Sequence, residues 1–197
     1  MLYYALKTLD DLYDGSFDVR VYYTFPDFKN YKHLNEFSIY DKFNNIFNLI
    51  ESSYDQEYKI ETNPNGINTP WMSKWYNLED VLLQDYDKIF LIDSDIIFCK
   101  NPSYIFDTYS DDKIYGLHEW NDAATKICPK LKPINSGGLI IPKKFHKNKK
   151  NFYSKVVKER KRLNSIAKNL LNKKSISENE YYNFTFFNEQ YCGQNIL

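Results

Sequence analysis

The segment Lys88–Phe98 combines the character of a buried strand with two carboxylates at the point where that strand should end. The apolar run Ile89–Ile92 is mostly β-branched or aromatic, which is typical of a central strand covered on both faces. Side chains alternate along a strand, so the pattern predicts that Asp93 and Asp95 share one side while Ser94 points away. Two carboxylates this close repel each other unless a cation lies between them or one of them takes up a proton, and a hard divalent metal ion is the natural cation. The alternative is a solvated turn, in which aspartate is common.

A second motif, Asn135-Ser136-Gly137-Gly138, precedes another apolar run. Paired glycines let a ligand approach the backbone closely, and amide and hydroxyl side chains suit hydrogen bonds with sugar hydroxyls. Taken alone, the two glycines also indicate a β-bulge or a tight turn that leads into a strand. Together with the carboxylate pair, the motif favours a ligand site.

These motifs resemble those of the GT-A nucleotide-sugar glycosyltransferases. The likeness is greatest to the retaining, glycosyltransferase family 8-like group that contains glycogenin and the bacterial lipopolysaccharide galactosyltransferases. The matching pieces follow the family's order: Ser73-Lys74-Trp75, Asp93-Ser94-Asp95, Asn135-Ser136-Gly137-Gly138 and Asn188-Glu189-Gln190. The resemblance implies a single GT-A domain over residues 1–197, with an α/β fold whose mixed sheet is flanked by helices.

The resemblance also implies transfer of a hexose from a nucleoside diphosphate sugar to an acceptor hydroxyl. The acceptor would be a saccharide, a protein or a lipid-linked glycan. The metal ion, Mn²⁺ or Mg²⁺, would be held by Asp93 and Asp95 and act as a Lewis acid on the diphosphate. The donor is expected to contact Lys74, Asp93, Ser94, Gly137 and Gly138. The catalytic sugar pocket is expected to use Asn135, Glu189 and Gln190.

Each of these side chains also has a purely structural interpretation. A lysine at a helix start, as at Lys74, is commonly solvated. Glu189 and Gln190 lie in an aromatic-rich stretch and would also suit the polar face of a helix. Their order along the chain is what favours a functional role.

Two parts of the family pattern are not found in the sequence. A segment with helical spacing, Leu2–Leu9, stands where the family has its base-binding strand. The family's third metal ligand, a histidine, follows the late motif that Glu189-Gln190 matches, whereas His33, His118 and His146 all precede these two residues. The chain is therefore expected to be short at both ends, as a fragment, an abbreviated homologue or an inactive relative.

Two other classes of protein fit part of the pattern. One is a non-catalytic binding protein that keeps the transferase fold. The other is a haloacid-dehalogenase-like phosphatase, in which Asp93 becomes phosphorylated and Asp95 is the acid/base. Against the phosphatase, Ile97 stands where that family prefers Thr or Val, and no late Gly-Asp-x-x-x-Asp cluster follows.

The composition agrees with one globular domain. With 197 residues, 43% of them hydrophobic, the chain can bury a sizeable core. We expect a soluble, cytoplasmic protein, because no apolar run is long enough for a membrane helix and no signal peptide is evident. Three scattered cysteines agree with a reducing compartment.

The net charge of zero conceals a basic segment. Residues 143–174 contain thirteen Lys or Arg and one acid, Glu159. Apolar residues recur there at helical spacing, among them Val156, Leu163 and Ala167, which predicts an amphipathic helix. Its basic face would suit an anionic surface such as lipid, nucleic acid or an acidic acceptor. The alternative is a solvated helix face.

The order of the predicted elements favours an α/β fold. Periodicity predicts helices near residues 3–13, 38–50 and 71–84 and at Ser103–Asp107. Strands are predicted at Val19–Thr24, before the carboxylate pair and at Ile114–His118, with a turn at Asn63-Pro64-Asn65-Gly66. The carboxylates then fall at the carboxyl end of a strand, where open α/β sheets bind ligands.

Overall fold

A computed structural model describes residues 2–13, 15–23, 47–54, 70–118, 122–129, 134–146, 150–188, 192–193 and 196–197. Helices and strands alternate along these residues, which confirms a mixed α/β class. The helices are α1 Leu2–Leu12, α2 Ser73–Leu82, α3 Ser103–Thr108, α4 Asp122–Ile127, α5 Phe152–Asn172 and α6 Glu178–Phe187. The strands are β1 Val19–Tyr23, β2 Phe47–Glu51, β3 Lys88–Ile92, β4 Tyr115–His118 and β5 Ile134–Pro142. Within these ranges, no helix has the length and apolar character that a bilayer crossing needs.

The described strands form two small sheets. Strands β1 and β2 pair in parallel, with Val19 opposite Phe47. Strand β5 lies between β3 and β4 and is antiparallel to both. Ile92, the last residue of β3, pairs with Gly138, so the end of β3 meets the glycine motif inside β5.

Most predicted elements on described residues are confirmed, with ends displaced by two residues at most. The helix predicted over residues 38–50 is wrong at its C-terminal end, because Phe47–Glu51 is strand β2. Pairing with β1 outweighs the local helical spacing there. Residues 38–46 and the turn predicted at Asn63–Gly66 lie outside the described residues.

Helix α2 is fixed to the core by an apolar face. Trp75, Leu78 and Leu82 recur at helical spacing and are buried. The Trp75 ring packs near Phe152 of α5, with 6.3 Å between ring centroids. It also lies flat against Gly193, where an added Cβ would come within 2.4 Å of the indole. The first turn of α2 is therefore held rigidly.

The N-terminus of α5 is capped by a side chain from α2. Asn151 precedes α5 in a left-handed conformation, φ 60°, and its own side chain makes no capping hydrogen bond. The carboxylate of Glu79 instead accepts hydrogen bonds from the backbone N–H groups of Asn151 at 3.1 Å and Tyr153 at 2.7 Å. A negative group at this helix end is favourable because of the helix dipole.

We expect Glu79→Ala to lower the free energy of unfolding by about 1 kcal/mol, the usual cost of losing a helix cap. Glu79→Gln keeps an acceptor and should lose less. Urea denaturation followed by circular dichroism measures both. Asp107→Ala, which removes an exposed carboxylate from α3, is the matched control, and an equal loss in that variant would contradict the capping role.

Helices α4 and α6 are joined by an ion pair between Lys126 and Glu180. Glu180 also completes a capping box with Ser177 at the start of α6. The hydrogen bond from Lys126, followed by those from Ser177, lowers the pKa of Glu180 from 4.5 to about 2.

Because the folded pKa of Glu180 is depressed, its stabilising contribution is fully present above about pH 4.5 and is lost as the pH falls towards 2. We expect ¹³C NMR titration to place the Glu180 carboxyl near 2, and Lys126→Met to move it upwards. The stability difference between wild type and Glu180→Gln should shrink over the same pH range. Titration of Glu180 near 4.5 in the wild type would contradict the assignment.

Candidate functional site

The first turn of α2, the end of β3 and the middle of β5 meet at one polar cluster. Lys74 Nζ donates to Asp93 Oδ1 at 2.9 Å and to Ser136 Oγ at 3.0 Å. The fold thereby joins residues that are 19 and 62 positions apart in the chain. Three of the motifs that the sequence singled out therefore lie together.

Helix stability does not account for the position of Lys74. The first turn of α2 has no acidic residue, and a cation there lies at the positive end of the helix dipole, which is unfavourable by about 0.3–1 kcal/mol. The Lys74 side chain is only 17% exposed, which does not fit a solvated surface lysine. Its pairing with Asp93, whose side chain is 44% exposed, offsets the unfavourable location.

The glycine motif is a bulge within β5 and not a turn before it. Gly116 and Leu117 are adjacent on β4, yet Gly116 pairs with Leu139 and Leu117 pairs with Asn135. The pairing therefore skips residues 136–138 of β5. The amide oxygen of Asn135 accepts a hydrogen bond from the Gly137 N–H at 2.7 Å. The Gly137 carbonyl accepts one from the Asp93 N–H at 3.1 Å. The bulge therefore lies directly against Asp93, the first of the two carboxylates.

The two glycines of the motif differ in their surroundings. A Cβ on Gly137 would lie 2.7 Å from Asp93 Oδ2 and 2.8 Å from Asn135 Oδ1. A Cβ on Gly138 would meet nothing within 4 Å. Gly137 therefore permits the close approach of Asp93 to β5, whereas Gly138 borders open space beside the cluster.

Asp95, the second carboxylate, lies outside strand β3 and is more exposed than Asp93. Strand β3 ends at Ile92, and Ser94 and Asp95 form an exposed turn. The strand alternation that predicted a common side for Asp93 and Asp95 therefore does not extend to Asp95. Among the described residues no group of three or more His, Cys, Asp or Glu side chains is placed to hold a metal ion.

The described residues do not include every side chain that the sequence analysis named. Glu189 and Gln190 lie outside the described residues, so their roles stay predictions. His33 also lies outside them. His146 is buried, and its Nε2 lies 2.9 Å from the carbonyl oxygen of Ile141. For His118 only the backbone, at the end of β4, is described.

One neighbour of the cluster was missed by the sequence patterns. Leu117 pairs in register with Asn135 and is 71% exposed, so an exposed apolar residue lies opposite one residue of the glycine motif. Leucine is an ordinary residue in a strand, so only the pairing of β4 with β5 shows that Leu117 lies next to the glycine motif.

A cleft of about 710 Å³ opens elsewhere, at the junction of α5 and α6. It is lined by Leu171, Asn172, Lys174, Ser175, Ile176, Ser177, Glu178 and Glu180. None of Lys74, Asp93 and Asn135 lines it, so it is separate from the cluster described above.

Comparison with family models, with curated proteins and with solved structures finds no match for this chain. The functional argument therefore rests on the motifs and on the geometry of the cluster.

We expect Gly137→Ala to displace the Asp93 carboxylate and lengthen its contact with Lys74, because the new methyl group would overlap Asp93 Oδ2. The overlapping atoms are side-chain ends that can move, so the loss of stability should be small. Gly138→Ala is the matched control and should leave the contact intact. Crystal structures and urea denaturation of both variants test this, and an undisturbed Lys74–Asp93 pair in Gly137→Ala would contradict it.

Proposed function

We propose that this protein is a GT-A-type glycosyltransferase that moves a hexose from a nucleoside diphosphate sugar to an acceptor hydroxyl. The observation that carries the proposal is the contact of Lys74 with both Asp93 and Ser136. The motif resemblance assigns Lys74, Asp93 and the glycine motif to one donor site. Their close contact supports that assignment, as does the mixed α/β class.

Lys74 supplies a fixed positive charge for the diphosphate. In the transfer, the bond between the anomeric carbon and the diphosphate oxygen breaks, the acceptor oxygen forms a new bond to that carbon, and the acceptor proton passes to the departing diphosphate. Negative charge grows on the diphosphate, and a partly buried ammonium stabilises it more strongly than one in water. An ammonium has three donors, and Asp93 and Ser136 accept two of them. The third suits a phosphate or sugar oxygen.

The two carboxylates that follow β3 are of the ligand type that a hard divalent ion prefers. Mg²⁺ and Mn²⁺ are commonly held by one or two carboxylates, with substrate phosphates and water completing the coordination. Asp93 and Asp95 would supply those carboxylates, and the bound ion would neutralise the diphosphate as a Lewis acid. Since Lys74 already lies 2.9 Å from Asp93, the ion and the ammonium would share that carboxylate.

The bulge in β5 provides the neutral part of the site. Asn135 is held by its hydrogen bond with Gly137, which orients its amide beside Asp93. The open space beside Gly138 gives room for a ligand to approach the backbone. In this proposal Glu189 and Gln190 complete the sugar pocket, as the motif resemblance implies.

We expect calorimetric titration to detect binding of UDP or GDP in the presence of Mn²⁺. Asp95→Ala should weaken this binding by more than about tenfold, or 1.4 kcal/mol, because a ligand of the ion is lost. Lys74→Met should also weaken it, through loss of the charge near the phosphates. Asp107→Ala removes an exposed carboxylate of α3 and should leave binding unchanged.

If neither nucleotide binds with Mn²⁺ present, the transferase proposal fails. Nucleotide binding without any sugar transfer would instead favour the non-catalytic relative. In the phosphatase alternative, Asp93 would become phosphorylated and Asp95 would be the acid/base. Hydrolysis of a generic phosphomonoester that Asp93→Asn abolishes would favour that alternative.

A further inference from the structure

Helix α5 presents a continuous basic face to solvent. Its buried side is formed by Phe152, Tyr153, Val156, Arg160, Leu163 and Ala167. On the opposite side, Lys158, Lys161 and Lys168 share one ridge at intervals of three and seven residues, and Lys155 lies on its flank. These four exposed residues are called the lysine face below. They span roughly 20 Å of helix at 1.5 Å per residue.

The charge of the lysine face is not neutralised by the described part of the chain. None of its four lysines forms an ion pair with a carboxylate of a described residue. The single acid of α5, Glu159, is engaged by Arg162, whose Nε and Nη2 each donate to it at 2.7 Å. The exposed residues of α5 therefore present positive charge with no free negative group.

The chemistry of this surface favours an anionic lipid bilayer over nucleic acid. The other exposed residues of α5 are serine and asparagine, apart from Arg162, so no aromatic side chain is offered for stacking on bases. The arginines of α5 already have partners within the protein. Arg162 pairs with Glu159, and Arg160 is buried and donates to the Thr185 carbonyl at 3.4 Å. Without an exposed apolar side chain, α5 cannot insert between lipid tails. What remains is a straight row of lysine point charges, which matches a flat layer of negative headgroups.

We propose that the lysine face of α5 docks this protein on an anionic lipid bilayer through electrostatic attraction alone. The helix would lie on the headgroups with its buried side still packed against the protein. The proposal does not depend on the proposed transferase activity, because the lysine face and the Lys74–Asp93 cluster share no residue.

The test is co-sedimentation of the full chain with mixed phosphatidylserine–phosphatidylcholine vesicles and with pure phosphatidylcholine vesicles. Binding is expected on the mixed vesicles only, and it should fall steeply between about 0.1 M and about 1 M salt. Each lysine near the surface contributes roughly a fivefold factor, so neutralising three should weaken binding on the order of a hundredfold. The variant is Lys158→Gln/Lys161→Gln/Lys168→Gln.

The control carries the same change in net charge at exposed lysines outside α5, namely Lys100→Gln/Lys113→Gln/Lys144→Gln. It should keep nearly wild-type binding, and circular dichroism checks that both variants fold. Absence of vesicle binding by the wild type, or an equal loss in both variants, would overturn the proposal. The proposal would also be overturned if the wild type bound a single- or double-stranded oligonucleotide more tightly than the vesicles and the lysine-face variant lost that oligonucleotide binding.

Discussion

The ion pair between Lys74 and Asp93 joins three elements that are far apart in the chain. Lys74 belongs to the first turn of α2, Asp93 follows β3, and Ser136, the second acceptor of the ammonium, lies in β5. A lysine in that helical turn opposes the helix dipole, and a half-buried carboxylate without a cation would be unfavourable as well. Each group removes the other's penalty, so the polar cluster is stable only when α2, β3 and β5 are assembled.

The position of the ion pair depends on the apolar packing beneath it. Trp75, the neighbour of Lys74, is fully buried between Phe152 and Gly193. The same helix α2 supplies Glu79, which caps α5 through the Tyr153 and Asn151 N–H groups. Helix α2 thus positions the Lys74 ammonium in the polar cluster and also fixes the start of α5, the helix that carries the lysine face.

The bulge in β5 shows how a sheet can admit polar groups at its centre. Strand β5 pairs regularly with β3, yet it skips three residues against β4. The Gly137 N–H donates to the Asn135 side chain, so this backbone donor of the bulge has an acceptor although the pairing with β4 is interrupted. The absence of a side chain at Gly137 then lets Asp93 approach. A regular strand would have filled that space with a side chain.

Local sequence patterns correctly predicted the helices and strands whose own residues show a clear helix or strand periodicity. The apolar run before Asp93 is strand β3, and the alternation of apolar and basic residues after residue 152 is helix α5. Strand β2 was predicted as part of a helix because its pairing with β1 is a contact between distant segments, which local periodicity does not record.

The sequence also singled out Lys74, Asp93 and the glycine motif as chemically informative, since charges and paired glycines are unusual beside apolar runs. It did not reveal that Ser136 accepts a hydrogen bond from Lys74, or that β3 ends at Ile92 and leaves Asp95 in an exposed turn. Nor did it reveal that Leu117 pairs with Asn135 across the bulge. Those features depend on strand register and on distances between segments remote in the chain. Residue type determines which groups can do chemistry, whereas tertiary packing decides which of them meet.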